Sequence, residues 1–203
     1  MQKLLIATGN PGKLKEIQTL LDELPAEWHQ KVATLLPRDL DLYMEVEENG
    51  CTYAENAAIK AKAFCKASGL ITLADDSGLE LDALNGNPGL HSARFSPKEN
   101  ATDADRREHL LFHLKDKPRP WKALFRCTVA VAIPCGTVHY STGECVGEII
   151  PEERGEHGFG YDPIFLLPER GLTTAELTEY EKNLISHRAL AVRAALPILQ
   201  KIF

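Results

Sequence analysis

The stretch LITLADDSGL, residues Leu70–Leu79, decides the fold class. Its apolar first half, Leu70–Ala74, predicts a buried strand, and this strand runs directly into an acidic turn, Asp75-Asp76-Ser77-Gly78. Ligand sites in open α/β sheets lie at the carboxyl ends of strands. The sequence therefore predicts a functional edge of a sheet at Asp75 and Asp76.

A second strand–turn–helix pattern opens the chain. Lys3–Ala7 predicts a short buried strand, Thr8–Lys13 predicts a turn, and an amphipathic helix follows. Asn10 and Pro11 suit the N-cap and first helical positions. Backbone N–H groups at a helix start bind phosphate, and Lys13 adds a positive charge. The turn lacks the spacing of a Walker A loop, so an ordinary strand-to-helix turn is the alternative interpretation.

The adjacent carboxylates of Asp75 and Asp76 repel each other unless a cation compensates. Mg²⁺ prefers carboxylate oxygens, and the acidic loop with Glu45, Glu47 and Glu48 could supply a further ligand. The alternative is a solvated turn in which these side chains only cap backbone groups.

The rest of the chain mixes helices with strands. Tyr53–Ser68 and Ser186–Ile202 are predicted as helices, and so is Thr174–Lys182. The alternation in Phe125–Ile133 predicts an antiparallel strand with one covered face, and Val138–Ile150 is its partner. This order predicts a mixed sheet with helices packed around it.

Two further groups of residues suggest ligand contacts. The Gly-rich loop Gly158–Pro163 carries Phe159 and Tyr161, which could stack on a flat base, although two core aromatics in a tight loop would look the same. His187 and Arg188 are predicted in the first turn of a helix, where the helix dipole disfavours positive charge. That placement suggests an anionic or polar ligand, and an exposed pair of side chains is the alternative.

Composition excludes several classes of protein. The 203 residues carry a net charge of −6, which gives no overall reason to bind nucleic acid or an anionic membrane. Apolar runs are too short for a membrane span. The five cysteines form no Cys-x-x-Cys pair, which predicts free thiols and a cytoplasmic protein. His109 and His113 lack the glutamate of a zinc-protease motif, so no metal is predicted there.

Taken together and in order, the motifs resemble the Ham1/RdgB family of inosine triphosphate pyrophosphatases (XTP/dITP diphosphatases). The resemblance runs from Leu4 to about Ala195 and rests on these segments: Thr8-Gly9-Asn10-x-x-Lys13, Glu55-Asn56-Ala57 with Lys60, Ala74–Leu79, Pro88-Gly89 with Ser92-Ala93-Arg94, Gly158–Pro163, and Ser186-His187-Arg188. It implies an α/β, ITPase-like (Maf/Ham1) fold. In this fold a long central mixed sheet is flanked by helices in two lobes, with the active site in the cleft, and residues 1–203 form one domain.

The resemblance also implies an activity. Family members hydrolyse ITP, dITP and XTP between the α and β phosphates, which gives a monophosphate and pyrophosphate and cleanses the nucleotide pool. They depend on Mg²⁺ and are usually homodimers. A purine nucleoside triphosphate is therefore the expected partner.

Site residues follow from the resemblance by position. The metal ligands would be Glu48, Asp75 and Asp76, and Asp76 would be the general base, with the choice between Asp75 and Asp76 open. The substrate-binding residues would be Thr8, Gly9, Asn10, Pro11, Gly12, Lys13, Lys60, Ser77, Phe159, Gly160, Tyr161, Asp162, Lys182, His187 and Arg188.

Two other interpretations compete with this one. A Maf-type pyrophosphatase acting on modified nucleotides would share the fold, but the Ser-x-Ser-Pro-Arg-Arg start is absent. A non-catalytic nucleotide sensor would keep a base pocket and lose its carboxylates, whereas Glu48, Asp75 and Asp76 are all present.

Overall fold

The computed structural model describes all 203 residues as helices packed around one mixed sheet. The helices are α1 (Pro11–Asp22), α2 (Ala26–Lys31), α3 (Tyr53–Ser68), α4 (Asp103–Leu114), α5 (Glu179–Ile185) and α6 (His187–Ile202). The strands are β1 (Gln2–Ile6), β2 (Val32–Leu35), β3 (Ile71–Leu81), β4 (Pro88–Gly89), β5 (Trp121–Ala132), β6 (Val138–Ile149), β7 (Phe165–Leu167) and β8 (Leu172–Thr173). None of the helices combines the length and the apolar character needed to cross a bilayer.

The sheet has the strand order β2-β1-β3-β5-β6-β7-β8, and β4 pairs with β3. The β1 strand is parallel to both β2 and β3, whereas β7 is antiparallel to β6 and β8. The predicted α/β class with a central mixed sheet is therefore confirmed.

The chain divides into two compact units. Unit 1 comprises Met1–Asp76, Cys127–Gly143 and Arg188–Phe203, and unit 2 comprises Ser77–Arg126 and Glu144–His187. The expected cleft site between two lobes stays a prediction.

Unit 1 covers both faces of its strands with helices. Successive residues of a strand point to opposite faces of the sheet, so Val129 and Ala130 of β5 pack in different hydrophobic clusters. Val129 belongs to a cluster with buried residues of α1 and α6, and Ala130 to one with buried residues of α3. The stretch Cys127–Ala132 is buried throughout. The prediction that one face of this strand is covered is wrong here, because helices pack against both faces.

The acidic stretch Asp75–Gly78 is not a turn, as the sequence suggested, but the middle of the continuous strand β3. Asp75 and Asp76 therefore point to opposite faces of the sheet. Both side chains are buried, with exposed fractions of 0% and 9%. A strand tolerates such burial because each carboxylate has partners, which are described below.

The helix expected at Thr174–Lys182 begins later than predicted. Thr178 is its N-cap: the Thr178 hydroxyl accepts a bond from the Glu181 N–H, and the Glu181 side chain accepts one from the Thr178 N–H. This reciprocal capping box sets the start of α5 at Glu179. Just before the predicted range, Leu172–Thr173 forms the edge strand β8.

The core of unit 2 closes tightly around β7. The rings of Phe125 and Phe165 lie 4.4 Å apart between centroids, within a cluster of buried apolar residues. A Cβ placed on Gly147 would lie 2.5 Å from the Leu166 carbonyl oxygen and 2.5 Å from the Phe165 ring. A residue without a side chain is thus required where β6 passes β7.

We predict that Gly147→Ala lowers the free energy of unfolding by about 1–3 kcal/mol, because the methyl group forces β7 and Phe165 to shift. Urea denaturation measures the change. The matched control is Val146→Ala at the neighbouring position, whose side chain is 74% exposed, and it should cost less than about 1 kcal/mol. Equal losses in the two variants would contradict the close approach.

Candidate active site

A buried ion network surrounds Asp75 in unit 1. The Asp75 Oδ2 atom lies 3.1 Å from Lys13 Nζ and 3.1 Å from Arg188 Nε. The Arg188 guanidinium also pairs with Glu16, so that one arginine joins α1, β3 and α6. The thiol of Cys127 donates to the same Asp75 oxygen at 3.8 Å.

These cations keep Asp75 ionised. Burial alone would raise the pKa of the Asp75 carboxyl, but the charges of Lys13, Arg188 and Lys60 outweigh burial and hold the pKa well below its usual range. Burial also raises the pKa of the Cys127 thiol, which favours the protonated donor. Asp75 therefore stays negatively charged, and the cationic side chains of Lys13 and Arg188 lie against it.

Asp76 has a different environment on the other face of β3. Its Oδ2 atom accepts a hydrogen bond from Asn56 Nδ2 at 3.1 Å, and Asn56 Oδ1 accepts one from the Gly50 N–H at 2.8 Å. Burial raises the pKa of Asp76, and the charge of Glu48 adds to the rise, although Lys13, Asn56 and Lys60 oppose it. A carboxylate with a raised pKa is suited to accept a proton.

Lys60 connects the acidic loop with β3. Its Nζ atom lies 2.9 Å from Glu48 Oε1 and donates to the Asp75 carbonyl oxygen at 3.1 Å. Because Lys60 lies on α3 one turn after Asn56, the same helix holds Glu48 and Asp76.

The turn before α1 has the predicted geometry. Asn10 is the N-cap and accepts a hydrogen bond from the Lys13 N–H at 3.1 Å, with Pro11 at the first helical position. The turn borders a pocket of about 500 Å³. The pocket is lined by Ala7, Thr8, Gly9, Asn10, Pro11, Leu14, Leu36, Pro37, Arg38, Leu42, Tyr43, Met44, Val46, Glu48, Lys60 and Phe64. The segment 36–44, to which the sequence assigned no role, thus faces the same space as the turn.

The carboxylates fit a hard divalent cation in part. Glu48 and Asp76 supply oxygen donors of the type that Mg²⁺ prefers, and the charge of Glu48 raises the pKa of Asp76. Asp75 differs, because its Oδ2 atom already binds two cations and only its buried Oδ1 atom lacks a hydrogen-bond partner. The structure does not gather three His, Cys, Asp or Glu side chains into one metal-binding group. The metal role of all three residues stays a prediction.

Unit 2 holds a second set of the predicted residues around Asp162. Lys182 Nζ donates to Asp162 Oδ2 at 2.6 Å, and the Phe159 N–H donates to the same oxygen at 2.8 Å. Thr174 Oγ1 donates to Asp162 Oδ1 at 2.9 Å. The Lys182 ammonium also lies 5.2 Å from the centroid of the Phe159 ring, which is half-buried. Asp162 thus organises the loop and places a cation beside an aromatic face.

Three further candidates, Tyr161, His187 and Ser77, also lie in unit 2. Tyr161 is buried and donates its hydroxyl to the Ser92 carbonyl oxygen at 2.9 Å, which makes it a core residue of the loop. His187 is buried and stacks on Phe125, with 4.7 Å between ring centroids and an angle of 10°. Ser77 follows Asp76 in β3 and is half-buried. Because His187 and Arg188 are both buried, the alternative of an exposed pair is wrong.

Comparison with known proteins identifies the family. The model of the Ham1 family matches residues 4–198. The chain belongs to the Ham1 family. This membership confirms the resemblance predicted from the motifs.

Relatives of the family match along almost their whole length. A dITP/XTP pyrophosphatase of Desulforamulus reducens is 44% identical, over 99% of this chain and 97% of its own. A dITP/XTP pyrophosphatase of Synechocystis is 47% identical, over 94% of this chain and 92% of its own. Among solved structures, a HAM1 protein from Coxiella burnetii has a TM-score of 0.87 at 38% identity, covering 99% of this chain and 100% of its own.

Sequence reasoning missed two residues of the buried ion network around Asp75, namely Glu16 and Cys127. Glu16 is buried on α1 among Ile17, Leu20 and Leu21, so a charge within the apolar stripe was the available signal. Cys127 lies in an alternating strand, where a thiol is not distinguished from any small apolar residue. Their roles depend on contacts between segments far apart in the chain.

We predict that Arg188→Met lowers the free energy of unfolding by about 3–5 kcal/mol, because it leaves Asp75 and Glu16 buried with less compensation. Arg193→Met on the same helix is the matched control. Arg193 pairs with Glu23 at the surface, where the side chains are 32% and 44% exposed, so its loss should cost less than about 1 kcal/mol. Similar unfolding midpoints in guanidinium chloride for the two variants would contradict the role of Arg188.

Proposed function

We propose that this chain hydrolyses deaminated purine nucleoside triphosphates, namely dITP, ITP and XTP, to the monophosphate and pyrophosphate. The observation that carries the proposal is the pair of acids on β3. Asp75 is held ionised by Lys13 and Arg188, whereas burial raises the pKa of Asp76. Neighbouring acids with different pKa values are typical of a site in which one acid binds positive charge and the other transfers a proton. The names of the curated relatives agree with this reaction class.

Hydrolysis of a phosphoanhydride generally uses a divalent cation. We propose Mg²⁺, held by Glu48 and Asp76, with Asp75 keeping Lys13 and Arg188 in place. When bound, Mg²⁺ would neutralise phosphate charge and polarise the phosphoryl oxygens.

The residues of the chain supply the remaining steps. The backbone N–H groups of Gly9 and Gly12 and the side chains of Lys13 and Lys60 bind the phosphate oxygens. The Asp76 carboxylate orients a water molecule and accepts its proton as the oxygen attacks phosphorus. Pyrophosphate and the nucleoside monophosphate are then released.

Unit 2 supplies recognition of the base. We propose that Phe159 stacks on the purine and that Lys182 and His187 contact its polar edge or a phosphate. A site that donates to the 6-keto oxygen rejects adenine, because a buried donor facing the 6-amino group would remain unpaired at a cost of about 1–3 kcal/mol. A base with a 6-keto group is therefore favoured.

Two further proposals concern the oligomeric state and the cellular compartment. We propose a homodimer, which the family resemblance supports. The cysteines are all free thiols, two of them exposed, which supports a reducing, cytoplasmic compartment.

We predict that the purified protein with Mg²⁺ releases pyrophosphate from ITP, dITP and XTP about 100-fold faster, in kcat/KM, than from ATP, GTP or dTTP. EDTA should abolish the release, because the phosphate charge is then not neutralised. A coupled assay for pyrophosphate measures both effects. Preference for a modified pyrimidine nucleotide would favour the Maf-type alternative, and binding without release would favour a sensor.

We predict that Asp76→Asn lowers kcat for ITP at least about 1,000-fold, since the amide cannot accept the proton of water. ITP binding, measured by calorimetry, should stay within about tenfold of the wild type. Asp116→Asn, at an exposed acid after α4, is the control and should leave both quantities unchanged. Lost binding in a folded Asp76→Asn variant would make Asp76 a docking residue instead.

A further inference from the structure

The loop that carries Phe159 is held by side chains outside the motif. The Asp162 carboxylate of the loop accepts hydrogen bonds from the Phe159 N–H and from Lys182 on α5. Gly160 follows with φ of +62°, a backbone conformation that favours glycine. The polar groups of Gly160 are not satisfied within the loop but by helix α4.

Helix α4 binds both polar groups of Gly160. The Gly160 N–H donates to Asp103 Oδ2 at 2.7 Å, and the Gly160 carbonyl oxygen accepts from the Arg107 guanidinium at 2.8 Å. Asp103 and Arg107 are four residues apart and therefore lie on the same face of the helix. Charged partners make these hydrogen bonds stronger and more directional than ordinary backbone bonds.

Each of the two side chains is itself anchored. Asp103 pairs with Arg106, which also donates to the Ala101 carbonyl oxygen at 2.7 Å. Arg107 forms a bidentate pair with Glu153, with both distances 2.8 Å. Burial would raise the pKa of Asp103, but Arg106 and the Gly160 N–H outweigh burial and keep the pKa below its usual range. Asp103 is therefore charged at neutral pH, and each of the two side chains has a partner besides Gly160.

We propose that Asp103 and Arg107 are positioning residues for base recognition, which hold the Gly160 backbone and so fix the direction in which Phe159 presents its ring to the purine. Gly160 is the residue directly after Phe159, so a rotation of the backbone there turns the Phe159 side chain. This inference rests on the proposed function. It adds specificity-determining residues that the motif of the loop does not contain.

The first turn of α4 provides a matched control. Asp105 forms the reciprocal cap with Thr102 and pairs with Lys98, and the structure records no contact of Asp105 with the loop. Asp103→Ala and Asp105→Ala therefore both remove an acid from the start of the same helix, but only the first releases Gly160. Asp103→Asn keeps an oxygen that accepts from the Gly160 N–H, so it should restore much of the wild-type behaviour.

The experiment measures kcat and KM for ITP, GTP and ATP in the three variants and in Arg107→Met. Asp103→Ala and Arg107→Met should raise KM for ITP about 10- to 100-fold, with kcat within about threefold, and reduce the preference for ITP over GTP and ATP. Asp105→Ala should lower the thermal midpoint while leaving KM and the preference within about twofold. Equal KM values and preferences in Asp103→Ala and Asp105→Ala would overturn the proposal.

Hydrogen exchange separates this inference from the proposed function. In the absence of nucleotide, the amides of residues 159–161 should exchange faster in Asp103→Ala than in the wild type, and at the wild-type rate in Asp105→Ala. Unchanged exchange in Asp103→Ala would overturn the proposed positioning role of Asp103, whatever the activity of the variant. A wild-type protein that releases no pyrophosphate from ITP would instead overturn the proposed function, and the exchange result would still decide whether α4 holds the loop.

Discussion

The buried carboxylate of Asp75 is the constraint on which the arrangement of unit 1 depends. A fully buried charge is costly unless cations and hydrogen bonds compensate it. Lys13 comes from the first helix of the chain and Arg188 from α6, and both reach the same oxygen of Asp75. Because the arginine also binds Glu16, the positions of α1, β3 and α6 are set together rather than one by one.

On the opposite face of β3, Asp76 is held by the neutral amide of Asn56. The side-chain amide of Asn56 donates to Asp76 and accepts from the Gly50 N–H. It thereby links β3 to the backbone that follows the acidic loop. A Cβ on Gly50 would lie 2.8 Å from Asn56 Oδ1, which explains why a glycine stands there. The strand thereby separates a fully ionised acid from one whose pKa is raised, although the two residues are adjacent in sequence. Alternation along a strand is the physical reason for that difference.

Much of this fold follows from local signals in the sequence. Tyr53–Ser68 has the expected limits, because Thr52 caps its start and Gly69, with φ of +70°, ends it. The strand at Asp75–Gly78 was misread as a turn, because Asp, Ser and Gly favour turns unless distant partners satisfy them. Those partners lie on other elements, and Arg188 is 113 residues from Asp75, so they leave no local trace in the sequence. For the same reason the motif of the Gly-rich loop was visible, whereas its anchors on α4 were not.

The division of unit 1 into three segments has a consequence for the order in which the protein is made. All of unit 2, residues 77–126 and 144–187, is synthesised before residues 188–203, which supply most of α6 and one cationic partner of Asp75. When residue 187 has been added, unit 1 still lacks α6, one of its four helices. Without Arg188, Asp75 keeps Lys13 but both Asp75 and Glu16 lose their shared arginine, which disfavours their burial, so the core around these two acids is favourable only once the C-terminal helix is available.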